Sequence, residues 1–163
     1  MKNFLQKQKM RKPCFRRRGI SLVEVLVVIA IVGIIAAIVF PQFSKMKENQ
    51  VIKNATAETL SAIEKARSQT LSSLNSSEYG VHFQSDKVII FKGKVFSDSA
   101  IDNENIEIVS PANISSTNFS GGGANVFFNR LSGSPSTTGT ITIDTTNMQK
   151  IITISATGTA SIN

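Results

Sequence analysis

A single uninterrupted apolar run near the start of the chain sets the strongest limit on how the chain folds. Every residue from Val25 to Phe40 is apolar or glycine. As a helix this run is about 24 Å long, against a bilayer hydrocarbon core of ~30 Å. Residues Ile20 to Glu24 extend it enough to close the gap, so the sequence predicts one membrane-spanning helix.

Basic residues are concentrated before this run. The chain has 18 Lys and Arg against 11 Asp and Glu, a net charge of +7. No acidic residue precedes Gly19, whereas eight basic residues do: Lys2, Lys7, Lys9, Arg11, Lys12, Arg16, Arg17 and Arg18. A basic flank favours retention on the cytoplasmic side, so the rest of the chain is expected in the periplasm or outside the cell. Without this segment the chain is nearly neutral, so the high net charge does not indicate a nucleic-acid partner.

Beyond the apolar run the sequence becomes amphipathic. Apolar residues recur at three- to five-residue steps: Ile52, Ala55, Leu60, Ile63, Ala66, Leu71 and Leu74. This spacing predicts one helix from about Ile20 to about Leu74. Gly33 adds backbone freedom and Pro41 lacks a backbone donor, so a kink or local unwinding is expected between these two residues.

The sequence after Asn75 is rich in Ser, Thr, Asn and Gly and contains short β-prone runs. Predicted strands are 79–83, 87–91, 106–109, 126–128, 140–143, 151–155 and 160–162, separated by turn residues such as Gly121-Gly122-Gly123. The alternation of Ile141 with Ile143 and of Ile152 with Ile154 predicts one apolar sheet face against the helix. The fold class is therefore α+β, a long N-terminal helix whose amphipathic half packs on a small antiparallel β-sheet head.

Two other export signals fit the N-terminus poorly. A secretory signal peptide would be cleaved after the apolar run, which lacks a clean Ala-x-Ala site and is preceded by Glu24. A twin-arginine signal is suggested by Arg17-Arg18, yet the following Gly-Ile-Ser-Leu and the acidic residue do not match it.

The sequence of residues 16–34 is Arg-Arg-Arg-Gly-Ile-Ser-Leu-Val-Glu-Val-Leu-Val-Val-Ile-Ala-Ile-Val-Gly-Ile. This stretch resembles the processing site of type IV prepilins and type II secretion pseudopilins. The resemblance implies that prepilin peptidase cuts after Gly19 and methylates the new amino terminus at Ile20. Mature chains of this family usually begin with Phe or Met, so Ile20 departs from the pattern while remaining hydrophobic. Met1 and Met10 both stand as possible starts of the leader.

Glu24 is the residue with the greatest energetic consequence, because a carboxylate at the edge of a membrane helix is costly without a cation. The resemblance implies that the cation is the α-amino group of Ile20 on a neighbouring subunit. At ~4 Å and an effective dielectric near 20, such a pair attracts by about 4 kcal/mol before desolvation is subtracted. The expected organisation is a leader at 1–19, a membrane and assembly segment at 20–41, an amphipathic helix at 42–74 and a β-rich head at 75–163.

Three segments of the head, 126–133, 139–143 and 150–158, look like those of GspH/FimT-type minor pseudopilins. The resemblance implies a non-enzymatic minor pseudopilin of a type II secretion system or, alternatively, a minor type IV pilin of a pilus or DNA-uptake machine. The implied partners are prepilin peptidase, other pilins or pseudopilins, the inner membrane and the assembly platform. DNA-binding relatives carry arginines after the glycine of the last hairpin. This chain has Gly158-Thr159-Ala160-Ser161 there, which disfavours DNA without excluding it.

The sequence contains no pattern that predicts an enzyme, a cofactor site or a metal site. His82 is the single histidine and lies on a predicted strand, and the single cysteine, Cys14, lies in the leader. The acidic residues Asp98, Asp102 and Glu104 lack the ligand spacing of an EF-hand, which leaves calcium binding by that loop open.

Overall fold

The computed structural model describes residues 19–163, except for the side chain of Pro41. Helix α1 spans Leu22–Leu71, and a short 3₁₀ turn follows at Leu74–Ser76. The chain divides into two compact units, Met1–Phe40 and Pro41–Asn163, each treated separately below. The leader predicted for residues 1–19 lies outside the described residues, apart from Gly19.

The second unit contains eight strands in two antiparallel four-stranded sheets. The strands are β1 Tyr79–Phe83, β2 Lys87–Lys92, β3 Glu104–Glu107, β4 Asn113–Phe119, β5 Asn125–Phe127, β6 Gly139–Asp144, β7 Gln149–Ile154 and β8 Ala160–Ile162. Sheet A has the order β3-β2-β1-β5, and sheet B has the order β4-β6-β7-β8. The predicted α+β class, with a long helix packed on antiparallel sheets, is confirmed.

The core lies where the amphipathic part of α1 meets both sheets. Ile52 and Ile63 of the helix are at most 1% exposed and belong to the same cluster as Val81 of sheet A. The predicted apolar sheet face is confirmed, because the four isoleucines that form it are also at most 1% exposed: Ile141, Ile143, Ile152 and Ile154. The helix end differs from the prediction. Leu74 lies beyond the helix in the 3₁₀ turn, and Leu71 and Leu74 are each 43% exposed.

Three buried threonines on α1 satisfy their hydroxyl groups within the helix. Thr56, Thr59 and Thr70 donate to the carbonyls four residues earlier at 2.6, 2.8 and 2.9 Å. Thr70 Oγ1 also accepts a hydrogen bond from Tyr79 N at 2.9 Å. This last bond ties the end of the helix to the first strand. Because all three buried hydroxyl groups have hydrogen-bond partners, they do not weaken the core.

Strand β4 was not predicted from the sequence. Its residues Asn113–Phe119 are mostly polar, and the register with β6 shifts between Ile114 and Ser116. Such a shift breaks the two-residue alternation from which strands are predicted.

Candidate processing and assembly site

The predicted cleavage point lies immediately before the helix. Gly19, Ile20 and Ser21 have no regular secondary structure, and α1 begins at Leu22. Ile20 is 76% exposed, and apart from the chain neighbours no heavy atom of the described residues lies within 4 Å of the position that a Cβ on Gly19 would take. The peptide bond between Gly19 and Ile20 is therefore open to approach within the part of the chain that the structure describes.

Glu24 lies in the first turn of α1 and is exposed. Ser21 and Glu24 have the spacing of a capping box, but neither side chain makes a hydrogen bond to any of residues 19–163. No Lys or Arg side chain among those residues lies within 4.0 Å of the Glu24 carboxylate. The positive end of the helix dipole favours a negative charge at this place, while the carboxylate keeps its capacity to accept a hydrogen bond from another molecule.

The first part of α1 exposes its apolar side chains. The helix contains a stretch long and apolar enough to cross a membrane, and none of that stretch is buried by the rest of the described chain. Leu22, Ile29 and Ile38 are 77%, 64% and 66% exposed. Lipid or other subunits must cover such a surface, which fits a membrane-anchored protein.

Gly33 and Pro41 both lie within α1, which is continuous from Leu22 to Leu71. Within residues 19–163 no neighbouring atom lies within 4 Å of a Cβ built on Gly33, so no close packing in that part of the chain requires glycine there. Proline has no N–H, so position 41 offers no donor to the carbonyl of Ala37. Unwinding between Gly33 and Pro41 stays a prediction.

Glu48 ties the helix to the β6–β7 turn. Its side chain is only 9% exposed, and its two carboxylate oxygens accept hydrogen bonds from Asn147 N at 2.9 Å and Asn147 Nδ2 at 3.0 Å. The hydrogen bond from the Asn147 side chain, followed by those from the Thr145 side chain and the Asn147 backbone, lowers the pKa of Glu48 below its ordinary value. Sequence reasoning missed this residue. A signal was present, because Glu48 lies four residues before Ile52 on the stripe that the core buries.

Two further side chains of α1 hold loops of the head. Arg67 donates from Nε to the Gly133 carbonyl at 3.0 Å and from Nη2 to the Thr157 carbonyl at 3.1 Å. Lys65 forms an ion pair with Glu104 of β3 at 2.5 Å. Arg67 thus joins two loops that are far apart in the sequence, a role that no sequence pattern predicts.

His82 and two of the acidic residues considered for calcium binding make contacts with other side chains of the head. His82 stacks on Phe96 with ring centroids 3.9 Å apart, and its two ring nitrogens face Asn125 and Gln84. Of the acidic residues considered for calcium, Asp102 faces Lys92 at 4.0 Å, and Glu104, which begins β3 rather than lying in a loop, pairs with Lys65. Among residues 19–163 no group of three or more His, Cys, Asp or Glu side chains is arranged to hold a metal ion.

Comparison with known proteins adds one finding to this geometry. No curated protein and no solved structure gives a significant match to the chain. A family model described as the prokaryotic N-terminal methylation motif matches residues 14–40, which include Gly19, Ile20 and Glu24. The match supports the type IV pilin and pseudopilin superfamily, and with it processing by prepilin peptidase and assembly with other pilins. Residues 14–40 therefore carry the N-terminal methylation signal of a type IV pilin-like protein.

Proposed function

We propose that this chain is a non-enzymatic minor pseudopilin of a type II secretion system, most similar to the GspH/FimT type. Prepilin peptidase removes the leader after Gly19 and methylates Ile20, and the mature subunit is held in the inner membrane until it enters the pseudopilus. The head lies on the periplasmic or outer side, because the basic leader stays in the cytoplasm.

The arrangement around Glu24 is the observation that carries the proposal. An open peptide bond at Gly19–Ile20 is followed by an exposed carboxylate that has no cationic partner among residues 19–163, and then by an exposed apolar helix. Cleavage would create an ammonium group at Ile20 close to the place where Glu24 needs one. Each subunit would then offer one cation and one anion at the same depth, which sets the axial register of neighbouring helices.

A minor pilin of a DNA-uptake machine is the second candidate. Arg67 favours it, because its Nε would lie 2.8 Å from a Cβ on Gly158, beside the turn where DNA-binding relatives carry arginines. Arg67 already donates to the Gly133 and Thr157 carbonyls, which leaves part of its donor capacity for a phosphate. DNA binding by the head that weakens steeply with salt would favour this candidate over the secretion role.

The processing step can be tested by mass spectrometry of the protein extracted from membranes of cells with and without prepilin peptidase. We expect a mature chain that begins at methylated Ile20 only in cells with the peptidase. Gly19→Val should remain unprocessed, because a branched side chain obstructs the approach of the backbone to the peptidase. An intact leader in cells with active peptidase contradicts the proposal.

A further inference from the structure

Strand β8 is an edge strand of sheet B, and some of its backbone groups have no hydrogen-bond partner among residues 19–163. Its residues Ala160, Ser161 and Ile162 lie opposite Ile154, Thr153 and Ile152 of β7. The bonds that flank this register run from Ser155 N to the Thr159 carbonyl at 2.9 Å and from Asn163 N to the Ile151 carbonyl at 2.9 Å. Since hydrogen-bonded pairs alternate in an antiparallel ladder, β8 bonds to β7 through every second residue, 159, 161 and 163. The N–H and C=O groups of Ala160 and Ile162 therefore point away from β7.

The other three sheet edges are protected. At the β5 edge, Ser136 N donates to the Phe127 carbonyl at 2.7 Å, and Phe127 N donates to Ser136 Oγ at 3.1 Å. The β3 edge carries the acidic residues Glu104 and Glu107. At the β4 edge the ladder has a register shift, and Ile114 N donates to the Ser85 carbonyl at 2.9 Å.

Strand β8 has none of these protections, and its length of three residues, which itself limits an edge, is shared by β5, whose edge is nevertheless covered. Its sequence Ala-Ser-Ile contains no charge and no proline, and no register shift occurs in its pairing with β7. Native proteins usually block an exposed edge, so a bare edge beside three protected ones indicates a surface that a partner covers.

A groove of about 720 Å³ runs between this edge and the helix. One wall is formed by Glu64, Arg67, Ser68 and Leu71 of α1 with Ser72 just beyond it, and residues 158–160 form the other. Arg67 lines the groove and uses two of its five N–H groups on the Gly133 and Thr157 carbonyls, so three remain for an acceptor in the groove. Leu71 also lines it and is 43% exposed, and Ile162 at the end of β8 is 44% exposed.

These features select one kind of occupant. Only another polypeptide backbone offers donors and acceptors at the spacing of Ala160 and Ile162. Because a helix flanks the edge across the groove, the space admits a single extended segment more readily than the edge of a second sheet. An added strand would continue both faces of sheet B, so the side chains on the Ile162 face should be apolar and those on the Ser161 face polar.

We propose that β8 accepts an extended segment of a partner protein, with alternating apolar and polar side chains, as a fifth strand of sheet B. Arg67 binds a carbonyl or carboxylate of that segment. The inference goes beyond the proposed filament function and does not depend on cleavage at Gly19.

The test uses the full chain in detergent micelles and a fluorescent, end-blocked peptide with the sequence of residues 149–154. This sequence is suitable because the same strand already pairs with β8 on its other side. We expect saturable binding with slowed hydrogen exchange at the amides of Ala160 and Ile162, while exchange at Ser161 is unchanged. The same peptide N-methylated at alternate residues keeps its side chains but loses backbone donors, and it should not bind.

Ile162→Pro removes an outward N–H that the fold does not use, so it should keep the melting temperature and weaken binding about tenfold or more. Ile162→Val is the matched control and should bind as the parent chain does. The proposal is overturned by absence of saturable binding, by equal binding of the N-methylated peptide, or by full binding to the proline variant. Protection of Ala160 and Ile162 in concentrated protein without peptide would overturn it in favour of a second copy as the occupant.

Discussion

The carboxylate of Glu48 and the backbone N–H of Asn147, 99 residues apart in the sequence, are joined by a 2.9 Å hydrogen bond that fixes the β6–β7 turn to the helix. A second bond from Asn147 Nδ2 at 3.0 Å completes the pair. One side chain of α1 thereby sets the position of a hairpin that contributes two strands to sheet B.

This contact predicts a loss of stability in acid. The pKa of Glu48 is lowered in the folded state, so its contribution is complete above the ordinary carboxyl pKa of 4.5 and declines as the pH falls through the lowered folded value. Glu48→Gln should lower the melting temperature at pH 7 and flatten its dependence on pH below about 4.5. Glu58→Gln, at an exposed position on the same helix, is the control. Equal pH profiles for the parent chain and Glu48→Gln would contradict the role of this carboxylate.

The same contact determines where a soluble head can begin. Fragments that start at Gln42 or Lys45 retain Glu48, whereas a fragment that starts at Gln50 leaves the two donors of Asn147 without their partner. Thermal unfolding followed by circular dichroism should show similar melting temperatures for the first two fragments and a clear drop for the third. A gradual decrease across all three would indicate simple loss of helix length.

Gly158 should tolerate substitution far less well than Gly122. Both have positive φ, +81° and +69°, so alanine costs roughly 1–2 kcal/mol at either position. A Cβ on Gly158 would also clash with the Gly133 carbonyl oxygen, whereas no atom of the described residues lies within 4 Å of one on Gly122. We expect Gly158→Ala to cost an additional ~1–3 kcal/mol from overpacking, measured by urea denaturation. Similar losses for the two variants would show that the tight contact relaxes.

The assembly role of Glu24 predicts separate effects on processing and on filament entry. Glu24→Ala and Glu24→Val should still be cleaved after Gly19 but fail to enter sheared filaments, because the ammonium of a neighbouring subunit has lost its counter-charge. Glu58→Ala changes an exposed glutamate on the head side of the helix and should leave both steps intact. Normal incorporation of Glu24→Ala would show that the carboxylate is merely tolerated at the membrane edge.

Local unwinding between Gly33 and Pro41 can be tested by hydrogen exchange. Pro41→Ala restores a donor for the Ala37 carbonyl and improves helix propensity by about 3 kcal/mol, so the amides of residues 34–40 should exchange more slowly in micelles. Gln42→Ala changes a neighbouring side chain without adding a backbone donor and should have little effect. Unchanged exchange in Pro41→Ala would contradict a weak point at this position.

The fold class follows from the helical spacing of the apolar stripe, and seven of the eight strands follow from β-rich runs bounded by turn residues, although the third was predicted at 106–109 and lies at Glu104–Glu107. Strand β4 leaves no such trace, since only Ile114 and Phe119 of its side chains are buried and its register shifts between them. Arg67 bonds to backbone carbonyls, and any residue supplies a carbonyl, so its partners cannot be read from residue types. Glu48 was recognisable only as a charge on the buried stripe.

The four sheet edges differ in how well they are protected, and this difference limits how such molecules can aggregate. A fibre that grows by pairing sheets edge to edge needs two unprotected edges on every molecule, because each molecule must bind one neighbour on either side. Among residues 75–163 only the β8 edge is unprotected. Charge protects the β3 edge, a register shift protects the β4 edge, and hydrogen-bonded chain covers the β5 edge. Pairing through the sheets is therefore limited to a one-to-one complex, and a filament can extend only through contacts between the N-terminal helices.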